Sequence, residues 1–263
     1  MRALYSAASG MKSQQLYIDT ISNNLANVNT TGYKLQRVEF KDLMYEKLRP
    51  SDFSEGVGRP VNLEVGHGVA TSAIVRSFGA GSFEQTNNDL DVAITGEGFF
   101  VVTDENGREF YTKNGAFKLS VEGENTLLVN ADGRFIQGEG GNIDLGADVK
   151  SVAFNKNGLI TVTRGDGEAA EEIDTLRLVR FPNAAGLESV GNNLYKASAA
   201  SGEPVDNEEG TNGEVTQGFL ESSNVQVVDE MIKLITAQRA YEINSKTIQT
   251  ADSMLEMANN LKR

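Results

Sequence analysis

Glycine and proline, which interrupt regular helices, are confined almost entirely to the middle of this chain. Of 27 glycines in the 263 residues, only Gly10 and Gly32 precede residue 51, and none follows residue 223. The four prolines are Pro50, Pro60, Pro182 and Pro204. Ends without such residues can form long helices, whereas a centre rich in them is cut into short elements. The distribution predicts an α+β fold, in which α-helices from both chain ends accompany a central all-β antiparallel domain.

Apolar residues at both ends recur every seven positions. The N-terminal repeat comprises Leu4, Met11, Ile18 and Leu25, with Ala7, Ile21 and Val28 on the adjoining stripe. The C-terminal repeat comprises Val227, Leu234, Tyr241, Ile248 and Leu255. A sustained seven-residue repeat is typical of helices that wrap around other helices, so both terminal helices are predicted to be coiled-coil-like. At about 1.5 Å per residue they would form rods of about 37 and 52 Å. The second helix is expected to begin at a capping residue, Ser222, Ser223 or Asn224.

The centre alternates short β-branched and aromatic runs with turn sequences such as DENG, KNG and ADG. Tight hairpins need such turn residues, so we expect about eight to twelve short strands in an antiparallel sandwich or irregular barrel. The stretch RPSDFSEGVGRPVNLEVGHGV, between residues 48 and 71, is rich in glycine and proline and is expected to be extended or looped. The predicted division is a helical assembly segment at 1–32, a linker at 33–70, the β domain at 71–221 and a second helical segment at 222–263.

The net charge of −13 is carried by the middle of the chain, where residues 51–223 hold 28 acidic and 12 basic side chains. Such acidity argues against nucleic acid or an anionic membrane surface as the main partner. Cysteine is absent, which excludes disulfides and thiolate metal sites. The single histidine, His67, lies in the glycine-rich sequence VGHGV without helical spacing to other ligands. No zinc site or histidine-based catalytic arrangement is therefore predicted.

Two weaker patterns could indicate chemistry. GxG recurs through the middle of the chain, but no copy opens an amphipathic helix after a strand, so turns explain it better than phosphate binding. Acidic pairs such as Asp89 and Asp91 could supply the carboxylates of an extracellular glycan-binding or glycan-hydrolysing β domain. Because carboxylates abound throughout this segment, surface solubility explains the pairs better. The chain is expected to be no enzyme and to need no cofactor, metal or small-molecule substrate, and a glycan-active β domain is the alternative from a different class.

Two alternatives remain for the apolar stripes of the terminal helices. The helices could pack on one another and on the β domain of the same molecule, or they could pack against neighbouring copies. A rod of about 52 Å overhangs a domain of about 170 residues, whose radius of gyration is nearer 15 Å. Burial against neighbouring copies is therefore the favoured interpretation.

The segment SNNLANVNTTGYK, at residues 22–34, places four asparagines near the end of the first predicted helix. Asn competes with the helical backbone, so a helix that only packed against a core would gain little from Asn23, Asn24 and Asn27. We interpret them as short amides that tie neighbouring copies together and fix their register. Gly32 would then supply a left-handed stop after the helix.

Segments at both ends resemble a known family. SNNLANVNTTGYK matches the N-terminal signature of the flagellar axial proteins, the rod and hook family of bacterial flagella, in which NNLAN precedes a Thr, a Gly, an aromatic residue and Lys. GFLESSNVQVVDEMIKLITAQRAYEINSKTIQTADSMLEMANNL matches the C-terminal signature, including SNV, QRAYE and the closing ML. QTNNDLDVAITGEGFF, YTKNGAF and FPNAAGLESVGNNLYKASAASGEP resemble the middle motifs in the same order. The resemblance covers nearly the whole chain.

The resemblance implies a structural subunit that polymerises helically into the rigid, hollow rod of the flagellar basal body and transmits torque from motor to hook. The implied partners are further copies of the chain, the neighbouring proximal rod and hook proteins, the surrounding bushing rings and the flagellar export apparatus. The resemblance also implies export across the inner membrane without a cleaved signal peptide, and a rod that spans the periplasm. The glycine- and proline-rich stretch would stiffen the rod. A proximal rod or hook subunit is the nearest alternative within the family.

The residues predicted to act in self-assembly combine the apolar repeat with the asparagines. They are Leu4, Met11, Ile18, Ile21, Asn23, Asn24, Leu25, Asn27, Val28, Leu234, Tyr241, Ile248 and Leu255.

Overall fold

The computed structural model describes residues 2–49, 62–123, 125–165, 170–206 and 213–260. The chain forms two compact units, each assembled from separated segments. We call the first the helical unit; it comprises Met1–Ala26, Gln36–Arg76 and Gln226–Arg263. The second, the β unit, comprises Asn27–Leu35 and Ser77–Val225. The predicted division at residues 32, 70 and 221 stays a prediction.

Two antiparallel helices form the first part of the helical unit. Helix α1 spans Arg2–Ala26 and helix α2 spans Val227–Asn260. Gly10 faces Asn244, and the Asn24 amide bonds to Glu230, so α1 and α2 run in opposite directions. Gly10 allows a close approach, because a Cβ added there would lie 2.9 Å from the Asn244 Nδ2 atom. The coarse α+β prediction is confirmed, with a helix from each end.

Helix α2 begins at Val227 and not at the predicted caps Ser222, Ser223 or Asn224. Within the β unit, the Asn224 side chain accepts a hydrogen bond from the Leu35 amide at 2.7 Å and donates to the Ser77 carbonyl at 3.0 Å. The side-chain amide of Asn224 thus binds two other segments of the β unit, at Leu35 and Ser77. The predicted cap was wrong because the side chain is already engaged elsewhere.

A long two-stranded ribbon completes the helical unit. Strands β1 (Gln36–Asp42) and β2 (Tyr45–Arg49) pair in antiparallel fashion with β4 (Val69–Arg76) and β3 (Leu63–Gly66), respectively. The ring of Tyr17 on α1 meets Phe40 of β1 edge to face, with centroids 5.7 Å apart. Much of the stretch expected to be extended or looped is therefore paired strand. Its residues 50–61 lie outside the described residues.

The β unit contains strands β5 to β21, and every strand pair among its described residues is antiparallel. The strands are β5 (Phe83–Gln85), β6 (Val92–Thr95), β7 (Phe99–Thr103), β8 (Glu109–Thr112), β9 (Lys118–Glu122), β10 (Asn125–Val129), β11 (Phe135–Gly138), β12 (Gly141–Asn142), β13 (Val149–Phe154), β14 (Leu159–Arg164), β15 (Glu171–Thr175), β16 (Leu178–Arg180), β17 (Glu188–Gly191), β18 (Leu194–Lys196), β19 (Val205–Asp206), β20 (Glu214–Gln217) and β21 (Phe219–Glu221). The expected eight to twelve strands were too few, because several strands have only two or three residues and leave no recognisable run.

The largest sheet follows the order β17-β18-β8-β7-β11-β10-β9, with β12, β16 and β19 attached. A three-stranded sheet β13-β14-β15 and the pairs β20-β6 and β21-β5 complete the β unit. The turn DENG joins β7 to β8 as predicted, since the Gly107 amide donates to the Asp104 carbonyl and Gly107 has a φ of 73°. Positive φ is easily reached only by glycine, which explains the turn sequence.

Strand β7 is buried on both faces. Phe100 and Val102 point into the larger core, whereas Phe99 and Val101 point into a second cluster with Tyr111. Successive side chains of a strand point to opposite faces, so the run FFVV supplies both cores at once. In the described parts of the chain, no helix is long and apolar enough to cross a membrane.

Candidate assembly surfaces

Helix α2 carries an exposed patch of apolar side chains near its start. Val228, Met231, Ile232 and Ile235 are 69%, 49%, 56% and 49% exposed, respectively. The opposite face of the helix is buried at Glu230 and Ala237. We call these four residues the α2 apolar patch. A helix that only had to pack inside its own molecule would carry polar residues at these positions.

The far end of α2 continues beyond α1. The antiparallel register places Arg2 level with the region of Asp252, so the last two turns of α2 have no α1 partner among the described residues. These turns expose Met254, Leu255 and Met257. Apolar side chains are thus exposed at both ends of the helix.

The predicted seven-residue stripe lies mostly turned away from water. Ile21 is buried, Leu4, Met11, Ile18, Leu25, Val28, Leu234 and Ile248 are half-buried, and Tyr241 and Leu255 are exposed. Because α1 and α2 pair within one molecule, the alternative of packing within the molecule accounts for part of this stripe. The exposed α2 apolar patch was missed, since its residues lie on the face that adjoins the seven-residue stripe. The role of the stripe in self-assembly stays a prediction.

The three asparagines occupy different surroundings. Asn24 is only 1% exposed; it donates to the Gln36 carbonyl at 2.8 Å and to the Glu230 carboxylate at 3.1 Å, and it accepts from the Gln36 amide at 3.0 Å. Asn27 is half-buried and accepts a hydrogen bond from the Thr30 hydroxyl. Asn23 is exposed. These hydrogen bonds of Asn24 lie inside the molecule, and its predicted role between neighbouring copies stays a prediction.

Gly32 lies six residues after the end of α1 at Ala26, so the helix stops earlier than predicted. A turn at Asn27–Thr30 follows the helix, with the Thr30 amide donating to the Asn27 carbonyl. Gly32 has a φ of 69° and is buried in the β unit. Its amide donates to the Glu221 carbonyl, and a Cβ there would lie 2.8 Å from the Asn114 nitrogen. Glycine is needed for backbone conformation and for close approach, not for ending the helix.

A buried ion pair lies next to this loop. The Lys34 ammonium is 2.7 Å from the Glu221 Oε1 atom, and the two side chains are 0% and 1% exposed. Lys34 also donates to the Gly79 carbonyl at 2.9 Å, and Glu221 also accepts from the Gly81 amide at 2.8 Å. The charges are therefore matched and partly hydrogen-bonded within the β unit. Sequence reasoning missed both residues, although each lies within one of the signature stretches.

Lys113 is a second buried lysine in the same unit. Its ammonium donates to the Gly96 carbonyl at 3.1 Å and lies 5.5 Å from the centroid of the Phe99 ring. Burial lowers the pKa of Lys113 to about 8, although the carboxylate of Glu221 favours the charged form. The β unit thus contains a group that titrates close to neutral pH.

The residues considered for other chemistry lie apart. The His67 Nε2 atom is 3.8 Å from the Glu46 carboxylate on the ribbon. Asp91 is buried and accepts a hydrogen bond from the Asn88 side chain. Among the residues that the structure describes, no group of three or more His, Asp or Glu side chains could hold a metal ion.

Comparison with known proteins gives full-length matches. The flagellar basal-body rod protein FlgG of Borreliella burgdorferi is 42% identical over 100% of this chain and 99% of its own length. The protein of the same name from Agrobacterium fabrum is 40% identical over the whole of both chains. The chain belongs to the FlgG family. It is a structural rod subunit of the bacterial flagellar basal body, and the resemblance to the rod and hook proteins is confirmed.

Family profiles match both ends of the chain and part of its centre. Three family profiles match: Flagella basal body rod protein at residues 4–34, Flagellar hook protein FlgE/F/G D1 domain at 93–162, and Flagellar basal body rod FlgEFG protein C-terminal at 216–261. A Bacillus subtilis protein named flagellar hook-basal body complex protein FlhP is 35% identical over the whole of both chains. The full-length matches to FlgG proteins support a distal rod protein for this chain over the proximal rod and hook alternatives. Lys34 lies at the end of the first profile match and Glu221 lies within the third.

Proposed function

We propose that this FlgG-family chain polymerises helically through its terminal helices into the rigid, hollow distal rod, which transmits torque from motor to hook. The observation that carries the proposal is the α2 apolar patch, Val228, Met231, Ile232 and Ile235, which is exposed in the isolated chain. Coiled-coil-like contacts between copies would cover this patch and the apolar end of α2.

The patch is large enough to contribute to association. Its four residues span about 10 Å of helix at 1.5 Å per residue. Complete burial of an aliphatic side chain contributes about 1.5–3 kcal/mol, so covering half-exposed residues contributes less per residue but adds over the patch. In an open helical polymer, each copy both receives and provides such contacts, and growth continues at the ends.

The polar residues near the helix end would add specificity to these contacts. Asn23 is exposed on α1 and belongs to the predicted set of register-fixing amides. Short amides both donate and accept hydrogen bonds, and one such residue can fix the register of helices. Leu4, Met11, Ile18, Leu234 and Tyr241 would contribute the apolar part of the same interface.

The partners follow from the position of a distal rod. They are further copies of the chain, the proximal rod and hook proteins at its two ends, the surrounding bushing rings, and the flagellar export apparatus. The subunit would cross the inner membrane without a cleaved signal peptide, and the rod would span the periplasm. Family membership supports these assignments, and the excess of acidic side chains suits a surface that turns inside a ring. No nucleic acid, cofactor or small-molecule substrate takes part.

Polymerisation of the purified chain tests this function. The double variant Met231→Gln/Ile235→Gln removes half of the α2 apolar patch and keeps good helix formers. We expect the wild type to form straight hollow filaments by electron microscopy, and the variant to stay in the supernatant after ultracentrifugation at the same concentration. Circular dichroism should show both chains folded, because the replaced side chains are exposed.

Val121→Thr is the matched control, since Val121 is an exposed apolar residue of β9 and its loss should leave filaments unchanged. Equal sedimentation of the double variant and the wild type would contradict a role of the patch in assembly. A wild type that stays monomeric at every concentration would contradict self-assembly itself.

A further inference from the structure

Exposed methionine side chains are concentrated on helix α2. The chain has six methionines and no cysteine. Met231, Met254 and Met257 lie on α2, with 49%, 57% and 60% of their side chains exposed, and Met44 of the ribbon is 85% exposed. Peroxides oxidise the sulfur atoms of cysteine and methionine. Methionine is therefore the residue at which peroxides oxidise sulfur in this chain.

Met231 lies in the α2 apolar patch, and its nearest neighbours on the helix surface are all apolar. In an α-helix the positions three and four residues away lie beside a side chain on the same face. For Met231 these positions hold Val227, Val228, Leu234 and Ile235. None of these side chains has a hydrogen-bond donor. A polar group introduced at the Met231 sulfur would therefore have no donor at these four positions.

The other exposed methionines have different surroundings. Thr250 lies four residues before Met254, and Ser253 lies four residues before Met257, so hydroxyl groups border both. Met44 lies between β1 and β2 of the ribbon, outside both helices. Met231 is thus the exposed methionine of α2 whose described helical neighbours are entirely apolar.

Hydrogen peroxide converts a methionine thioether into a sulfoxide. A sulfur lone pair forms the new S–O bond while the O–O bond of the peroxide breaks. The hydroxide that leaves takes the proton of the transferred oxygen and becomes water. Sulfur loses two electrons and the peroxide gains them. The product is a polar side chain whose oxygen accepts hydrogen bonds, in place of a flexible apolar one.

We propose that Met231 is an oxidative modification site, at which a sulfoxide formed by peroxide keeps the free chain out of the filament until a reductase removes the oxygen. The inference rests on the proposed polymerisation, because it requires that a second copy covers the α2 apolar patch. In the free chain, water solvates the sulfoxide oxygen. In a covered patch the oxygen loses this water and finds no donor beside it. Burial of an unpaired acceptor is unfavourable, so the oxidised chain assembles poorly.

The test treats the full chain with hydrogen peroxide, removes the peroxide and measures the concentration at which filaments form. Each variant is compared with its own untreated sample. In the wild type this concentration should rise about tenfold, because an unpaired buried acceptor weakens each contact by a factor of this order. For M231L the treated and untreated samples should differ little. M44L and the double variant M254L/M257L are the matched controls and should respond to peroxide as the wild type does.

Mass spectrometry of peptides measures the oxygen gained at each methionine. Circular dichroism should show that the treated chain keeps its helices, because the Met231 side chain is half exposed. The two sulfur epimers require two methionine sulfoxide reductases, and both enzymes with a thiol reductant should restore assembly. Assembly that stays impaired after the oxygen at position 231 has been removed would contradict the proposal.

Two further outcomes would also overturn the proposal and leave polymerisation standing. One is normal assembly of a wild type in which Met231 is fully oxidised. The other is a loss of assembly in treated M231L equal to that of the treated wild type, which would assign the effect to another residue. Failure of the untreated wild type to polymerise would instead overturn the proposed function, and this inference with it.

Discussion

Lys34 and Glu221 lie 187 positions apart in sequence and form a fully buried ion pair, with the ammonium 2.7 Å from the carboxylate oxygen. Each belongs to one of the two terminal regions that identify the family. The pair therefore joins the N-terminal signature to the C-terminal signature inside the β unit. A core built from residues 77–225 alone would leave the Glu221 carboxylate buried without its cation.

Breaking the Lys34–Glu221 pair should be strongly destabilising. Removing one partner of a buried pair leaves an uncompensated charge and typically costs about 3–5 kcal/mol, so Lys34→Ala should lower the free energy of unfolding by about that amount. Urea unfolding followed by circular dichroism measures the change. The control is Lys156→Ala, which breaks an exposed pair with Glu214 and should cost at most about 0.5 kcal/mol. Similar losses in both variants would show that burial of the pair has little consequence.

Lys113 should make stability depend on pH on the alkaline side. Its pKa is about 8 in the folded chain and 10.5 without the protein environment, so between these values the unfolded chain binds a proton that the folded chain has lost. The free energy of unfolding should therefore rise with pH in this window, by up to about 1.4 kcal/mol per pH unit. Below pH 8 Lys113 is protonated in both the folded and the unfolded chain. The free-energy cost of burying its charged ammonium therefore does not change with pH there.

Lys113→Met should remove this rise, and urea unfolding at several pH values from 7 to about 10 measures it. Lys118→Met changes an exposed lysine of β9 and should keep the rise of the wild type. Equal pH slopes for Lys113→Met and the wild type would mean that Lys113 stays charged when buried.

Gly115 should not tolerate even an alanine. It lies in the KNG sequence, where an added Cβ would overlap the carbonyl oxygen of Val92 and lie 3.1 Å from the Phe100 ring. Such a clash with backbone cannot be relieved by a rotamer change, so Gly115→Ala should cost about 3 kcal/mol or more. Gly165→Ala is the control, because nothing lies within 4 Å of its added Cβ. A thermal midpoint for Gly115→Ala equal to that of the control would refute the close approach.

Asn24 should stabilise the helical unit, not the contacts between copies. Asn24→Ala removes the bonds to both backbone groups of Gln36 and one bond to Glu230, and should cost about 2–3 kcal/mol in urea unfolding followed by helical ellipticity. Gln15→Ala changes an exposed residue of the same helix and should stay within about 0.5 kcal/mol of the wild type. If Asn24→Ala were as stable as this control and yet failed to assemble, Asn24 would act between copies after all.

The sequence was informative where local pattern decides structure. The seven-residue repeat predicted both helices, and turn sequences such as DENG predicted hairpins, because side-chain period and positive φ are local properties. The ends of the helices were placed less well. Helix α2 starts at Val227 because Asn224 is bound by Leu35 and Ser77, and those partners are distant in sequence.

The candidate sites depended on contacts that no local pattern contains. Charged residues usually lie on the surface, so nothing in TTGYK or GFLES predicts that Lys34 and Glu221 are buried together. Asn24 was correctly recognised as unusual in a helix, but its partner Gln36 lies on a strand that was expected to be linker. The α2 apolar patch was overlooked because only the regular seven-residue stripe on the adjoining face was interpreted as a packing surface.

The pairing of α1 with α2 makes the helical unit sensitive to whether the chain is complete. Asn24 and Glu230 are 206 positions apart, so the first helix has no partner until nearly all of the polypeptide has been made and has emerged. A product that stops early would keep α1 without its antiparallel mate and could not close the unit. Closure of the helical unit therefore requires that segments from both ends of this chain are present together.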